Sequence, residues 1–256
     1  MRPSTLSIPR SQRGFTLVEM AVVLAVIGLV LGAVMIGKDV QRNAEYTKIK
    51  QKFVDQWAVA YNAYYQRTGV PVGDSQVQPQ LMVNGQGWLA DTNNTASGGD
   101  MTNASSPGEV CADTQTVNLR DLMLHAGVEM PPGRAEGFED RYVYLDSNGN
   151  PQEIKVCFRW NPPGTDSGAG NVMVISGLTP DLARFLDQSV DGQADAQEGV
   201  FREAGITASG DNQPGTQWGA NNTYAMDASN ATGTGDGSAL DESQIVTVTA
   251  HYKMNQ

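Results

Sequence analysis

From Phe15 to Gly37 the chain is apolar at almost every position, and Glu19 is the only ionisable side chain in the run. At about 1.5 Å per residue a helix of this length crosses a hydrocarbon core of roughly 30 Å. The run therefore predicts a membrane-spanning segment that carries an acid, and a charge placed in lipid is a functional position that calls for a partner. Beyond Gly37 the pattern turns amphipathic without a break, with Ile49, Phe53, Trp57, Ala60, Tyr61 and Tyr64 recurring at three- and four-residue spacing. A single helix is predicted from Phe15 to Arg67, ended by Gly69 and Pro71. Wholly helical, it would be roughly 80 Å long. Pairs at i,i+3 (Asp39 with Arg42, Glu45 with Lys48, Lys52 with Asp55) would each add a few tenths of a kcal/mol.

The rest of the chain alternates short ordered patterns with polar stretches. Residues 91–108 are rich in Asn, Thr, Ser and Gly and read as an exposed loop, and residues 205–243 repeat that composition at greater length around Trp218 and Tyr224. A short helix is expected from Asn118 to Ala126, stopped by Gly127. Tyr142 to Leu145, the turn from Asp146 to Asn150, and the alternating Ile154, Val156, Phe158 and Trp160 predict a β-hairpin. Asp146, Asn148 and Asn150 have the spacing of a calcium-loop start. The glycine stands at the fourth position rather than the sixth, however, and no glutamate occupies the twelfth, so a plain turn is the better reading. Asn171 to Ser176 reads as a strand, then a helix runs from Thr179 as cap and Pro180 in the first turn to about Ser189. Ile245 to Met254 closes the chain as a strand. The expectation is an α+β architecture with an antiparallel sheet of about four strands packed on the back of the long helix.

Composition narrows the chemistry. With 256 residues and 40% apolar content the chain holds one membrane helix and one globular domain. Its formal charge of -11 argues against a nucleic-acid-coating protein, and no nucleic-acid partner is predicted. His125 and His251 are solitary and read as surface or helix-end residues. No nucleophile, base and orienting group form a motif, so the chain is not expected to be an enzyme and no cofactor is required. Asp187, Asp191 and Asp195 are the one acidic group that a loop could fold around a hard cation such as calcium, with solvated acids as the default.

Arg13-Gly14-Phe15-Thr16-Leu17-Val18-Glu19 resembles the processing site of type IV prepilins and type II secretion pseudopilins. The resemblance implies cleavage by a prepilin peptidase between Gly14 and Phe15, methylation of the new amino terminus, and pairing of Glu19 with the Phe15 amine of a neighbouring subunit. Two charges that are each costly in lipid become tolerable once they neutralise one another. Thr68 to Asp74 is similar to the Gly-Pro-Gly-Asp exit of pilin-like proteins, which extends the likeness to about residue 74. Major pseudopilins resemble this chain in placing acids in a late loop, where they use calcium. The absence of a proline in the second half of the apolar run departs from many type IV pilins.

The resemblance divides the chain into a leader (1–14), a helix (15–67) whose front half (15–37) spans the membrane, and an extracytoplasmic head (68–256). Losing the leader removes Arg2, Arg10 and Arg13 and no acid, which moves the formal charge from -11 to -14. Cys111 and Cys157 both fall in the head, where an even count outside the cytoplasm is read first as a disulfide and two free buried thiols are the alternative. The family places its usual bridge nearer the chain end, so details of the pilin head do not transfer. The implied partners are copies of the chain or homologous pilins, the peptidase, an inner-membrane platform protein and an assembly ATPase. The implied route is from bacterial inner membrane to extracellular pilus or periplasmic pseudopilus. A structural filament subunit is the leading expectation. The alternatives are a type II secretion pseudopilin, and a minor pilin that binds through loops 91–108 and 205–243, with Trp218 as a candidate stacking residue.

Overall fold

The computed structural model describes residues 15–74, 76, 79–83, 109–111, 119–146, 149–206, 217–219 and 247–254. Gly14 and the leader, loop 91–108, most of loop 205–243, Asn118, Asn148 and Tyr224 lie outside the described residues. The chain forms two compact units, one ending at Glu45 and the other beginning at Tyr46.

Helix α1 (Leu17–Ile49) buries only Tyr46 and Ile49, both at its C-terminal end. A π-helical turn (Lys50–Val54) leads into α2 (Asp55–Thr68). The sequence pattern predicts an uninterrupted α-helix here, and the difference has a visible cause. The wider turn buries the adjacent residues Phe53 and Val54 together and brings Lys50 Nζ to 2.9 Å from both oxygens of Asp55, an i,i+5 pair. Asp55 thus bonds Lys50 rather than the expected Lys52, whereas Arg42 and Asp39 meet at 3.0 Å as expected. Gly69 ends α2 in the left-handed conformation, φ 80°, and its N–H bonds the Tyr65 carbonyl.

A five-stranded antiparallel sheet packs on this helical stripe. Its strands are β1 (Arg141–Leu145), β2 (Pro151–Asn161), β3 (Gly170–Leu178), β4 (Phe201–Glu203) and β5 (Val248–Lys253), in the order β1-β2-β3-β5-β4. The fifth strand, β4, is the one the alternation pattern misses: three residues are too short to alternate. Ile154, Val156 and Phe158 point into the core as their spacing requires. Phe158 meets Tyr61 at 4.9 Å and Trp57 at 6.2 Å between ring centroids, and Phe53 meets Tyr142 at 5.3 Å. Each large apolar side chain buried this way stabilises the head by roughly 1.5–3 kcal/mol.

Helices α3 (Leu119–His125) and α4 (Pro180–Asp191) complete the head. Arg67 donates to the carbonyls of Ala126 and Gly127 just past α3, and so ties the end of α2 to the end of α3. The break before α4 is made by Gly177, whose φ of 80° accompanies a bulge in β3 and whose added Cβ would lie 2.0 Å from the Glu153 carbonyl oxygen. Thr179 occupies the cap position with extended φ and ψ, but its hydroxyl does not cap the helix. Its backbone N–H donates instead to Tyr144 Oη at 2.9 Å, and Tyr144 donates onward to the Gly177 carbonyl. Burial raises the Tyr144 phenol to about 12, so it stays a donor.

Candidate functional site

The amino-terminal segment is built from one capping arrangement and a long apolar surface. Thr16 stands before α1, and its backbone N–H and Oγ1 donate to Glu19 Oε2 at 2.8 and 2.9 Å. The Glu19 N–H returns a bond to Thr16 Oγ1 at 3.3 Å. This is a reciprocal capping box in which two otherwise orphaned helix donors are satisfied by side chains. The signal was present in the sequence as Thr-x-x-Glu ahead of an apolar run, and reading Glu19 only as a charge in need of a partner passes over it. In the single chain, Glu19 serves its own helix start. Every large apolar side chain from Phe15 to Val40 is exposed, and the helix is long and apolar enough to cross a membrane. Such a surface needs lipid or other protein to cover it.

Cys111 and Cys157 are joined in a disulfide with Cα atoms 5.1 Å apart. Cys157 lies on the face of β2 opposite the aromatic core, where it forms a small second cluster with Val172 and Val174, and Cys111 packs against that cluster. The bridge thus fastens the turn Glu109–Cys111 to the back of the sheet.

Each of the three late acids accepts backbone donors of the turn that follows α4. Asp187 Oδ2 accepts the Asp195 N–H and the Trp218 indole N–H, both at 2.7 Å. Asp191 Oδ2 accepts the N–H groups of Val200 and Phe201 at 2.9 Å. Asp195 Oδ1 accepts those of Gln197 and Glu198 at 3.1 and 2.6 Å. Among the described residues no three His, Cys, Asp or Glu side chains are grouped to hold a metal ion. What these acids do is shape the turn between α4 and β4. Burial first, then the neighbouring Asp191 and Asp195, pushes the Asp187 carboxyl up to about 7. Asp146 acts in the same local way in the hairpin turn, accepting the Asn150 N–H at 2.8 Å and Gln152 Nε2 at 3.0 Å. Asp74, the last residue of the pilin-like exit, is buried and accepts the N–H groups of Gln80 and Leu81.

Two expectations are corrected. Trp218 is fully buried against Phe201 at 5.4 Å, with its carbonyl held by Arg184, so it is an anchor of the head and not a surface stacking residue. His251 is buried on β5, where its Nδ1 lies 2.5 Å from Ser167 Oγ and 3.2 Å from Asn161 Nδ2. Burial, then the charge of Arg159, lowers it to about 4, so it is neutral. His125 closes α3, as expected of a helix-end residue.

An exposed apolar helix whose first turn is capped by an acid, followed by an antiparallel sheet head, is a pilin-like α+β layout. Residues 9–35 match the prokaryotic N-terminal methylation motif, and the chain thus carries the signature of type IV pilin-like and pseudopilin proteins. No curated protein and no solved structure matches the chain.

Proposed function

We propose that the chain is a structural subunit of a type IV pilus-like filament, made as an inner-membrane precursor and processed between Gly14 and Phe15. The observation that carries this reading is the methylation motif set on a helix whose apolar side chains are exposed from Phe15 to Val40. A helix of that kind first lies in the bilayer and then exchanges lipid for neighbouring subunits. Glu19 changes partner in the same exchange, from the Thr16 of its own chain to the methylated amine of Phe15 on a neighbour. The low-dielectric surround rewards that register. Residues 1–14 are the leader, 15–37 the membrane-spanning front of the helix and 68–256 the extracytoplasmic head. The disulfide between Cys111 and Cys157 supports an oxidising compartment for the head. A prepilin peptidase, a platform protein and an assembly ATPase are the partners of this route. The motif serves a type II secretion pseudopilin equally, and that is the second reading.

Intact-mass and N-terminal peptide analysis of the protein from native cells tests both. A chain that starts at methylated Phe15 and is abundant in the sheared extracellular fraction is the result expected of a pilus subunit. The same terminus confined to the cell envelope selects the pseudopilin. An unprocessed Met1 in cells with an active prepilin peptidase overturns the proposal.

A further inference from the structure

The face of the sheet opposite the aromatic core gathers cations from three strands. Cys157 marks this face, and its register partners Val174, His251 and Arg202 share it across β3, β5 and β4. Arg159, two residues further along β2, stands in a row with Val172 and Lys253 on the same face. From Lys155 to Asn161 on β2, and along β3, β4 and β5, this face carries no carboxylate. Glu153 stands at the far end of β2, where Arg134 and Arg141 take it at 2.8 and 3.1 Å, and Lys155 has partners of its own. Among the described residues no carboxylate pairs with Arg159, Arg202 or Lys253, Asp166 on the loop after β2 and Glu198 before β4 included. Three cations thus share one face without acids, in a chain whose net charge is -11.

The loop from β2 to β3 draws them together. Asn161 Nδ2 donates to the Gly168 carbonyl at 3.1 Å and lies 3.2 Å from His251 Nδ1, so that ring nitrogen is an acceptor and the ring proton sits on Nε2. Ser167 Oγ, 2.5 Å from the same nitrogen, fixes the ring further. A Cβ on Gly168 would lie 3.4 Å from Arg202 Nη1, and one on Gly170 would lie 3.7 Å from Lys253 Cε, so both cations lie against this loop. Arg202 is held there through its Nε, which donates to the Gly199 carbonyl at 2.8 Å. Arg159 is near enough for its charge to act on His251, second only to burial. The Arg159 Nε is buried and has no acceptor among the described residues, a state that nearly all native donors avoid.

We propose that this face binds a phosphate group, free or carried as a monoester, between Arg159, Arg202 and Lys253, with the Nε2–H of His251 as a further donor. Three cations outmatch a single carboxylate, whereas a phosphate monoester carries roughly two negative charges near pH 7. Its several oxygens around one centre suit donors that arrive from three strands, and guanidinium groups match phosphate oxygens in pairs. One of those oxygens supplies the acceptor that Arg159 Nε lacks. Strand positions and a pinned ring hold the donors in place before the anion arrives, which lowers the ordering cost of binding. None of these residues belongs to the amino-terminal helix, so the site stands or falls independently of filament assembly.

The test uses the full chain in detergent micelles, labelled on its histidine rings and titrated at constant pH and ionic strength with inorganic phosphate or with glycerol 1-phosphate, chloride making up the balance. His125 and His251 are the only histidines, His251→Asn assigns the signal of interest, and His125 serves as the internal reference. Phosphate is expected to move the His251 signal saturably and to leave His125 in place. Tighter binding of the inorganic ion selects the free anion as the natural occupant, and tighter binding of the ester selects a group carried on a larger molecule. Arg159→Gln and Arg202→Gln should each weaken binding by about tenfold, the scale of one hydrogen bond between charged groups. Arg134→Gln, which removes the same charge beside Glu153, should leave it unchanged. If Arg159→Gln does not fold, Lys253→Gln, a change at an exposed side chain, must weaken binding instead. A His251 signal that fails to saturate with either anion up to about 50 mM, well past the millimolar range of a weak site, overturns the proposal. Equal affinity in the Arg159, Arg202 and Lys253 variants overturns it as well.

Discussion

Asp187 and His251 are both buried in the head and both shifted toward their neutral forms, and this acts on stability with opposite sign in the two cases. The Asp187 carboxyl is raised from 3.8 to about 7, chiefly by burial, so between these values the folded head retains a proton that the unfolded chain has released. Its contribution is full at the acid end and is lost as pH rises toward 7. His251 is lowered from 6.5 to about 4, again chiefly by burial, so below 6.5 the unfolded chain takes up a proton that the folded head refuses. Its contribution is full above 6.5 and is lost as pH falls toward 4. At about 1.4 kcal/mol per tenfold change, and halved for residual solvent screening, each effect amounts to about 2 kcal/mol. Urea unfolding of the full chain in micelles, followed by near-ultraviolet circular dichroism from pH 4 to pH 8, measures them. The stability of Asp187→Asn relative to the native chain should climb by about 2 kcal/mol between pH 4 and 7. That of His251→Asn should fall by about the same amount between pH 4 and 6.5. Difference curves that are flat, or that slope the same way, would refute the reasoning.

Three further outcomes are expected. Serine at both Cys111 and Cys157 should lower head stability by about 4 kcal/mol by chain-entropy reckoning, visible as an earlier urea midpoint that reducing agent reproduces in the native chain. Trp218→Ala should cost about 3–5 kcal/mol as a buried aromatic. Trp218→Phe should cost less and report the lost bond to Asp187, and a cost below about 1 kcal/mol for the alanine variant would contradict the anchoring role. Thr16→Ala should remove amide-exchange protection at the start of α1 while leaving α2 unchanged; equal protection in both proteins would show that the capping box is idle.

The elements legible in the sequence are those whose pattern is long enough to repeat. The apolar run, the aromatic stripe of α2 and the alternation on β2 each bury one face, and one face is what periodicity reports. β4 is three residues long and is held by its partner strand and by Asp191, neither of which leaves a periodic trace. The π-helical turn was hidden for a related reason: one wide turn shifts the phase of a stripe by less than the three-or-four alternation already allows. Trp218 and His251 sit among polar neighbours in the sequence and owe their burial to partners 31 and 84 residues away, Asp187 and Ser167. Such long-range bonds set both positions, and local pattern cannot register them.

The order of strands has a consequence for how the head is completed during synthesis. β5, last in the chain, lies between β3 and β4, so β4 has no seat until Val248–Lys253 has been made. At about 5–20 residues per second a growing chain exposes β1 to β4 for some time before the keystone strand appears. A product cut short upstream of Val248 lacks the strand that joins the two halves of the sheet. Completion of the sheet thus waits on a strand made some 45 residues after the one it seats.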